Sequence, residues 1–267
     1  MTVRIEHEAS TTIVTIDRPF ARNAVDPATA EQLFQAFVAF DSDDSQSVAV
    51  LTGAGGAFSA GFDLKASASV KETWFAEHAL DGSFDDRDDR PRKGPMGPTR
   101  LTLSKPVIAA ISGPAVAGGM ELALWCDMRV MERSAYMGVY CRRWGVPLID
   151  GGTVRLPRIV GHGRAMDLIL TGRKVEAEEC LAIGLANRVV DDGAALESAL
   201  QIARDLARYP QSCMRADRAS AMRQWSLGPA AALTSEWRSA ETYRSEGAAG
   251  AARFASGKGR GGDFGDI

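Results

Sequence analysis

A carboxylate and two glycine turns are the residues whose types and spacing suit them to chemistry. Residues 113–123, GPAVAGGMELA, place Glu121 just after Gly118 and Gly119, in an apolar run that begins at KPVIAAI. A carboxylate removed from water has a raised pKa, which suits it to exchange protons near neutral pH. The alternative is a glutamate that stabilises the start of a helix through the helix dipole.

Two glycine-rich turns each connect an apolar run to a predicted helix. The first contains Gly53, Gly55 and Gly56 and leads into AFSAGFDL, and the second surrounds Gly118. The first amides of a helix lack intrahelical partners and can bind a negatively charged oxygen. The amides of Ala60 and Gly118 are therefore candidate donors of an oxyanion hole. Taken singly, each turn is also explained by tight strand-to-helix packing.

Other ligand-binding patterns are missing from these turns and from the composition. Neither turn contains the Gly-Lys-Ser/Thr of a phosphate loop or the G-x-G-x-x-G of a dinucleotide site. The net charge of −3 over 267 residues provides no basic surface for nucleic acid or a membrane. The start of the chain has no apolar signal segment, and no stretch approaches the ~20 apolar residues of a membrane helix. We therefore expect a cytoplasmic protein.

The cysteines and histidines do not suggest a metal centre. The four cysteines lie far apart without C-x-x-C spacing, and the three histidines form no cluster. This pattern argues against a zinc site and against a disulfide framework. We expect no metal and no resident cofactor.

The elements that must position these residues alternate between strands and helices. The runs STTIVTI, SVAVLTG and KPVIAAI predict strands, and MRVMERSAYMG predicts a further one. A helix follows Asp26, a plausible N-cap, with Pro27 at its first position. Unbroken apolar strands that alternate with helices indicate an α/β fold whose strands are buried on both faces.

The second half of the sequence changes in character. From about Ala165 onward the pattern is mainly helical, and the last helices resemble an oligomerisation appendage. We expect a core with the active site over residues 1–200 and a C-terminal helical oligomerisation region over residues 201–267. The segment between Lys65 and Leu101 is rich in Asp, Arg, Gly and Pro. It is either a solvated surface excursion or a mobile flap, residues 70–98, over the site.

Four ordered motifs resemble the crotonase superfamily, the enoyl-CoA hydratase/isomerase family. They are IDRPFARNAV, GAGGAFSAGFDLK, KPVIAAISGPAVAGGMELALWCDMRV and GGTVRLPRIVG, and the resemblance covers nearly the whole chain. It implies a spiral of β-β-α turns, followed by C-terminal helices that build homotrimers, commonly paired into hexamers. It also implies acyl-CoA thioester substrates whose enolate is stabilised without a cofactor, because the thioester itself acidifies the neighbouring carbon.

The resemblance implies a role for each matching residue. It assigns the oxyanion-hole amides to Ala60 and Gly118, and it places Glu121 at the position of a catalytic glutamate of the hydratases. Substrate and coenzyme A contacts fall on the loop after the first strand, on the SAGFD turn and, more weakly, near the C-terminus. These residues are Arg22, Asn23, Ala24, Ser59, Ala60, Gly61, Phe62, Asp63, Lys65, Phe254 and Lys258.

Three positions depart from the hydratase pattern. Cys141 stands where hydratases carry a second glutamate. Asp150, just before the next glycine pair, matches an aspartate that naphthoate synthases and some other members use in catalysis. It is the candidate second acid or base, and the alternative is a cap of the following helix. Arg142 and Arg143 either reshape the acyl pocket or face solvent or a subunit interface.

These observations predict an enzyme that hydrates a 2-enoyl-CoA reversibly to a 3-hydroxyacyl-CoA. Glu121 would deprotonate the water, and Asp150 or a water would deliver a proton to C2. Two alternatives stay open. One is another enolate reaction, namely isomerisation, decarboxylation or hydrolysis of a specialised acyl-CoA, and the other is an acyl-CoA-binding protein with little catalysis.

Overall fold

The predicted apolar strands form the centre of a computed structural model that describes residues 1–67, 72–85, 92–244, 246–259 and 261. The strands of the described residues are β1 (Val3–Glu8), β2 (Thr11–Ile16), β3 (Val48–Gly53), β4 (Val107–Ile111), β5 (Pro114–Val116), β6 (Met128–Glu132), β7 (Tyr136–Gly138), β8 (Val175–Glu176) and β9 (Arg188–Val190). A six-stranded sheet has the order β1-β2-β3-β4-β6-β9, and a three-stranded sheet has the order β5-β7-β8.

The larger sheet is mainly parallel. Only the β1–β2 pair is antiparallel among its described strand pairs, and every residue of β2 and β4 is buried. Burial on both faces explains why β4 reads as a continuous apolar run and why β2 consists of β-branched residues throughout. The α/β prediction is therefore confirmed.

The helices are α1 (Pro27–Ser42), α2 (Leu64–Ser67), α3 (Glu72–Glu77), α4 (Gly118–Trp125), α5 (Gly152–Val160), α6 (His162–Thr171), α7 (Ala177–Ala182), α8 (Ala195–Arg208), α9 (Gln211–Arg223), α10 (Pro229–Arg238) and α11 (Glu246–Ala255). The predicted cap of α1 is confirmed, because the Asp26 carboxylate accepts the Thr29 amide at 2.8 Å. None of the described helices combines the length and the apolar character that crossing a membrane requires.

Two strand predictions need correction. The run MRVMERSAYMG is not one strand, since a turn in which the Ala135 amide donates to the Glu132 carbonyl separates β6 from β7. The region after Ala165 is mainly helical but also contributes β8 and β9. Both strands are too short, at two and three residues, to stand out as a period in the sequence.

Two compact units make up the chain, Met1–Ala203 and Arg204–Ile267. The first contains both sheets and the hydrophobic core. In the second, helices α9, α10 and α11 contain no buried residue among those described. All contacts of the candidate site described below lie within the first unit.

Candidate active site

Glu121 lies in the first turn of α4 and is only 3 % exposed. Its Oε1 atom accepts hydrogen bonds from the amides of Asp150, at 2.9 Å, and Gly152, at 2.8 Å. Burial, and after it the neighbouring charge of Asp150, raises the pKa of Glu121 to about 8. A carboxyl group with this pKa can both give and take a proton near neutral pH.

Close packing holds Glu121 in this position. A Cβ atom on Gly152 would lie 2.9 Å from the Glu121 Oε1 atom and 3.0 Å from its Cγ atom. A side chain at Gly152 would therefore displace the carboxylate.

Asp150 places a second buried carboxylate beside Glu121. Its Oδ1 atom accepts the Met96 amide at 3.0 Å and the Thr99 hydroxyl, and burial raises the pKa of this group. The N-cap of α5 is Gly151, and no side chain caps that helix. The alternative of Asp150 as a helix cap is therefore wrong.

The two glycine turns meet beside these carboxylates. A Cβ atom on Gly61 would lie 2.8 Å from the Gly118 nitrogen. The amide of Ala60, expected as an oxyanion-hole donor, donates to the Arg22 carbonyl at 3.0 Å, so that assignment is wrong. Within the described residues no hydrogen bond is made by the amide of Phe62 or of Gly118. These two amides are the available donors at the junction of the turns.

Two of the predicted coenzyme A contacts have side chains that serve the fold. Asn23 is fully buried; its Nδ2 atom donates to the carbonyls of Ala54 and Ala57, and its Oδ1 atom accepts the Arg18 amide. Ser59, also fully buried, donates to the Asn23 carbonyl. The polar side-chain atoms of Asn23 and Ser59 are thus used internally, and the assignment of these two residues to coenzyme A contacts stays a prediction.

The remaining predicted contacts differ in exposure. Asp63 accepts the Arg18 guanidinium at 3.1 Å and the Lys65 amide at 3.0 Å, while Ala24 and Gly61 are buried. Arg22 and Lys65 are exposed cations of the first unit, and their assignment stays a prediction. Phe254 and Lys258 are exposed residues of the second unit, and their assignment stays a prediction.

The Cys141 thiol is a much weaker acid than the glutamate that hydratases carry at this position. It is buried in a 3-10 turn over Tyr140–Trp144, and burial raises the pKa of its thiol. Arg142 and Arg143 of this turn are exposed, and Arg143 stacks on the Tyr140 ring at 4.0 Å. This arrangement favours the surface alternative for the two arginines.

Part of the segment expected as a flap packs against the first turn. The ring centroids of Trp74, in α3, and Phe62 are 5.5 Å apart, and Arg100 donates to the His78 carbonyl at 2.8 Å. Residues 70, 71 and 86–91 of the proposed flap lie outside the described residues.

Sequence reasoning missed the residues that hold Asp150. Met96 and Thr99 come from the segment that resembles the family least, so no motif pointed to them. Arg155, in contrast, lies within the quoted motif GGTVRLPRIVG and donates to the carbonyls of Asp150 and Thr99. Its position in the first turn of the helix was a usable signal. A cation is unfavourable at the positive end of the helix dipole, so it indicates that a negatively charged group lies nearby.

Two amides that make no hydrogen bond within the described residues lie at this junction, beside two buried carboxyl groups. The amides can stabilise an oxygen that becomes negatively charged, and the carboxyl groups can move protons at the neighbouring carbons. The chain belongs to the enoyl-CoA hydratase/isomerase family, whose model matches residues 6–257. The crotonase resemblance is thereby confirmed.

Individual relatives agree with this assignment. Enoyl-CoA hydratase EchA19 of Mycobacterium tuberculosis is 39% identical over 206 residues, which cover 74% of this chain and 72% of that protein. Carnitinyl-CoA dehydratase of Salmonella arizonae is 40% identical over 200 residues, covering 73% and 70%. The crystal structure of an enoyl-CoA hydratase from Mycobacterium tuberculosis is 32% identical, covers 96% of each chain and has a TM-score of 0.84.

Proposed function

We propose that the protein catalyses the reversible hydration of a 2-enoyl-CoA to a 3-hydroxyacyl-CoA. The observation that carries the proposal is the placement of Glu121 and Asp150 side by side, next to the junction of the two glycine turns. The relatives named for hydration and for dehydration support it, because these are the two directions of one type of reaction.

The amides of Phe62 and Gly118 bind the thioester oxygen and stabilise the enolate that forms when water attacks C3. Glu121 takes a proton from this water, and Asp150 gives a proton to C2. The hydroxyl group is thus added to C3 and hydrogen to C2, and the pair as a whole neither gains nor loses a proton. No other reactant is needed.

The pair is suited to this exchange because two neighbouring buried carboxyl groups do not both ionise readily. One proton shared by the pair leaves one acid and one base. With the proton on Glu121, the pair is prepared to protonate a leaving hydroxyl, which is the dehydration direction. With the proton on Asp150, it is prepared for hydration.

The test is a panel of 2-enoyl-CoA thioesters of different chain length, followed by the gain of water in the mass spectrum, with wild type, E121Q and D150N. Each amide variant keeps the shape of the acid and removes its proton exchange. We expect kcat to fall about 10²- to 10⁴-fold in E121Q and about 10²-fold in D150N.

The matched control is E132Q. Glu132 is also a buried glutamate, but its carboxylate accepts the Ser112 hydroxyl at 2.8 Å and makes no described contact with Glu121 or Asp150. E132Q is expected to keep near wild-type kcat. Unchanged hydration in E121Q would refute the role of Glu121. A wild-type protein that binds the thioesters but turns over none would favour the binding-protein alternative, and loss of CO₂ or free coenzyme A would indicate another enolate reaction.

The predicted homotrimer or hexamer stays a prediction. The large apolar side chains of Trp225, Leu233 and Trp237 in the second unit are exposed, and association between copies of the chain would remove such side chains from water.

A further inference from the structure

Arg155 occupies an unusual position for a cation. It lies in the first turn of α5, where its Nη1 atom donates to the Asp150 carbonyl at 2.9 Å and its Nη2 atom donates to the Thr99 carbonyl at 2.7 Å. A Cβ atom on Gly151 would lie 2.1 Å from Nη1, and Gly151 has φ of +91°. The chain therefore needs glycine there to admit the guanidinium.

Each residue that Arg155 holds donates in turn to one of the two carboxyl groups. The Asp150 amide donates to Glu121 Oε1 at 2.9 Å, and the Thr99 hydroxyl donates to Asp150 Oδ1. A single guanidinium thus connects the two chain segments that orient both acids. We propose that Arg155 is a positioning residue that fixes the geometry of the Glu121–Asp150 pair and supplies its counter-charge. The inference rests on the proposed function only in taking these two acids as the catalytic pair.

The nearby carboxyl groups explain why a cation is tolerated in the first turn of α5. A cation in the first turn faces the positive end of the helix dipole, which is unfavourable. The nearby carboxyl groups offset this, and Arg155 lowers the pKa of both Glu121 and Asp150 against the effect of their burial. Removing the charge should therefore raise the pKa of the pair.

Other titratable and charged groups also face this cluster. Arg100 places a second cation near Asp150, and Arg158 faces Arg155 from the same helix. Cys126 and Cys141 are buried thiols whose pKa values are raised by burial, so they stay neutral at physiological pH. Among these groups, Arg155 donates hydrogen bonds to the carbonyls of both Asp150 and Thr99, the two residues that donate to the acids.

Two substitutions separate the geometric part of the role from the charge. R155K keeps the charge but loses the planar pair of donors, and R155Q keeps amide donors but loses the charge. We expect R155K to lower kcat about 10-fold, with KM and the pH profile little changed. R155Q should move the acid limb of the kcat profile about one pH unit higher, because the base form of the pair then appears at higher pH. The control R164Q changes an exposed arginine in the first turn of α6 that makes no described contact with Glu121 or Asp150, and it should alter neither quantity.

A readout without turnover keeps this test independent of the proposed function. The carboxylic acid band of the pair is followed by infrared spectroscopy against pH, and E121Q and D150N assign it. In R155Q this band should persist about one pH unit higher than in wild type, whether or not any thioester is hydrated. Wild-type kcat in R155K together with an unshifted band in R155Q would overturn the proposal. If circular dichroism shows R155Q unfolded, R155K decides alone: wild-type kcat there overturns the positioning role.

Discussion

The two glycine turns of the site are built in opposite ways. The first, over residues 53–63, is fastened by side chains: Asn23 binds its carbonyls, Ser59 binds back to Asn23, and Asp63 pairs with Arg18. The second turn is held by backbone, because the Ala117 amide donates to the Gly138 carbonyl. The polar side chain that follows this turn is Glu121. The polar side chains of the first turn are used for folding, whereas the acid of the second turn is the one proposed to exchange protons with the substrate.

Their glycines also differ in what surrounds them. Gly61 has φ of +93°, and a Cβ atom there would meet the backbone nitrogen of Gly118 at 2.8 Å. At Gly118 a Cβ atom would meet the Sδ atom of Met96 at 2.7 Å, and this sulfur lies towards the flexible end of its side chain. A side chain should therefore be tolerated less well at Gly61 than at Gly118.

The largest predicted effect tests this difference with G61A and G118A. G61A forces a side chain onto backbone and strains a left-handed residue, so we expect kcat to fall at least 10²-fold and stability to fall by about 1–3 kcal/mol. G118A should cost about 10-fold in kcat, because Met96 can move. Hydration rates and urea unfolding measure both. The double variant G118A/M96A should recover part of the activity, and equal losses in the two single variants would contradict the comparison.

A second prediction concerns the side chain that fastens the first turn. N23A leaves the carbonyls of Ala54 and Ala57 and the amide of Arg18 without their partner, so the free energy of unfolding should fall by about 2–4 kcal/mol. The control is N187A, because the exposed Asn187 also accepts a backbone amide, that of Arg129, and its loss should cost about 1 kcal/mol or less. Chemical denaturation gives both values. Similar losses for the two variants would show that the first turn does not depend on Asn23.

The features that were predictable from the sequence have local causes. A β-branched run predicted β2, a continuous apolar run predicted β4, and an Asp-Pro pair predicted the start of α1. Glu121 stood out because an acid inside an apolar run requires an explanation, and the structure buries it as the run suggested.

The features that were missed depend on contacts between distant segments. The direction of the Ala60 amide is fixed by the Arg22 carbonyl, on a loop nearly forty residues earlier, so the turn alone does not reveal which amide is available. Asp150 was found by position, but Met96 and Thr99, which hold it, are more than fifty residues away in sequence. Hydrogen bonds over such separations leave no periodic signal.

The smallest predicted effect follows from the buried acid of the second turn, Glu121. The pKa of Glu121 is raised in the folded protein to about 8 from its ordinary value of 4.5, so between these values the folded state binds more protons than the unfolded state. The contribution of Glu121 to stability is therefore fully present below about pH 4.5 and is lost as the pH rises towards 8.

E121Q removes this titration and should flatten the pH dependence of unfolding. Wild type should lose on the order of 1–3 kcal/mol relative to E121Q between pH 5 and pH 9, as measured by urea denaturation at each pH. Parallel curves for wild type and E121Q would mean that the Glu121 carboxyl titrates normally in the fold. The Glu121 carboxyl would then titrate like that of an exposed glutamate, and the two turns would not differ in the acidity of their carboxyl groups.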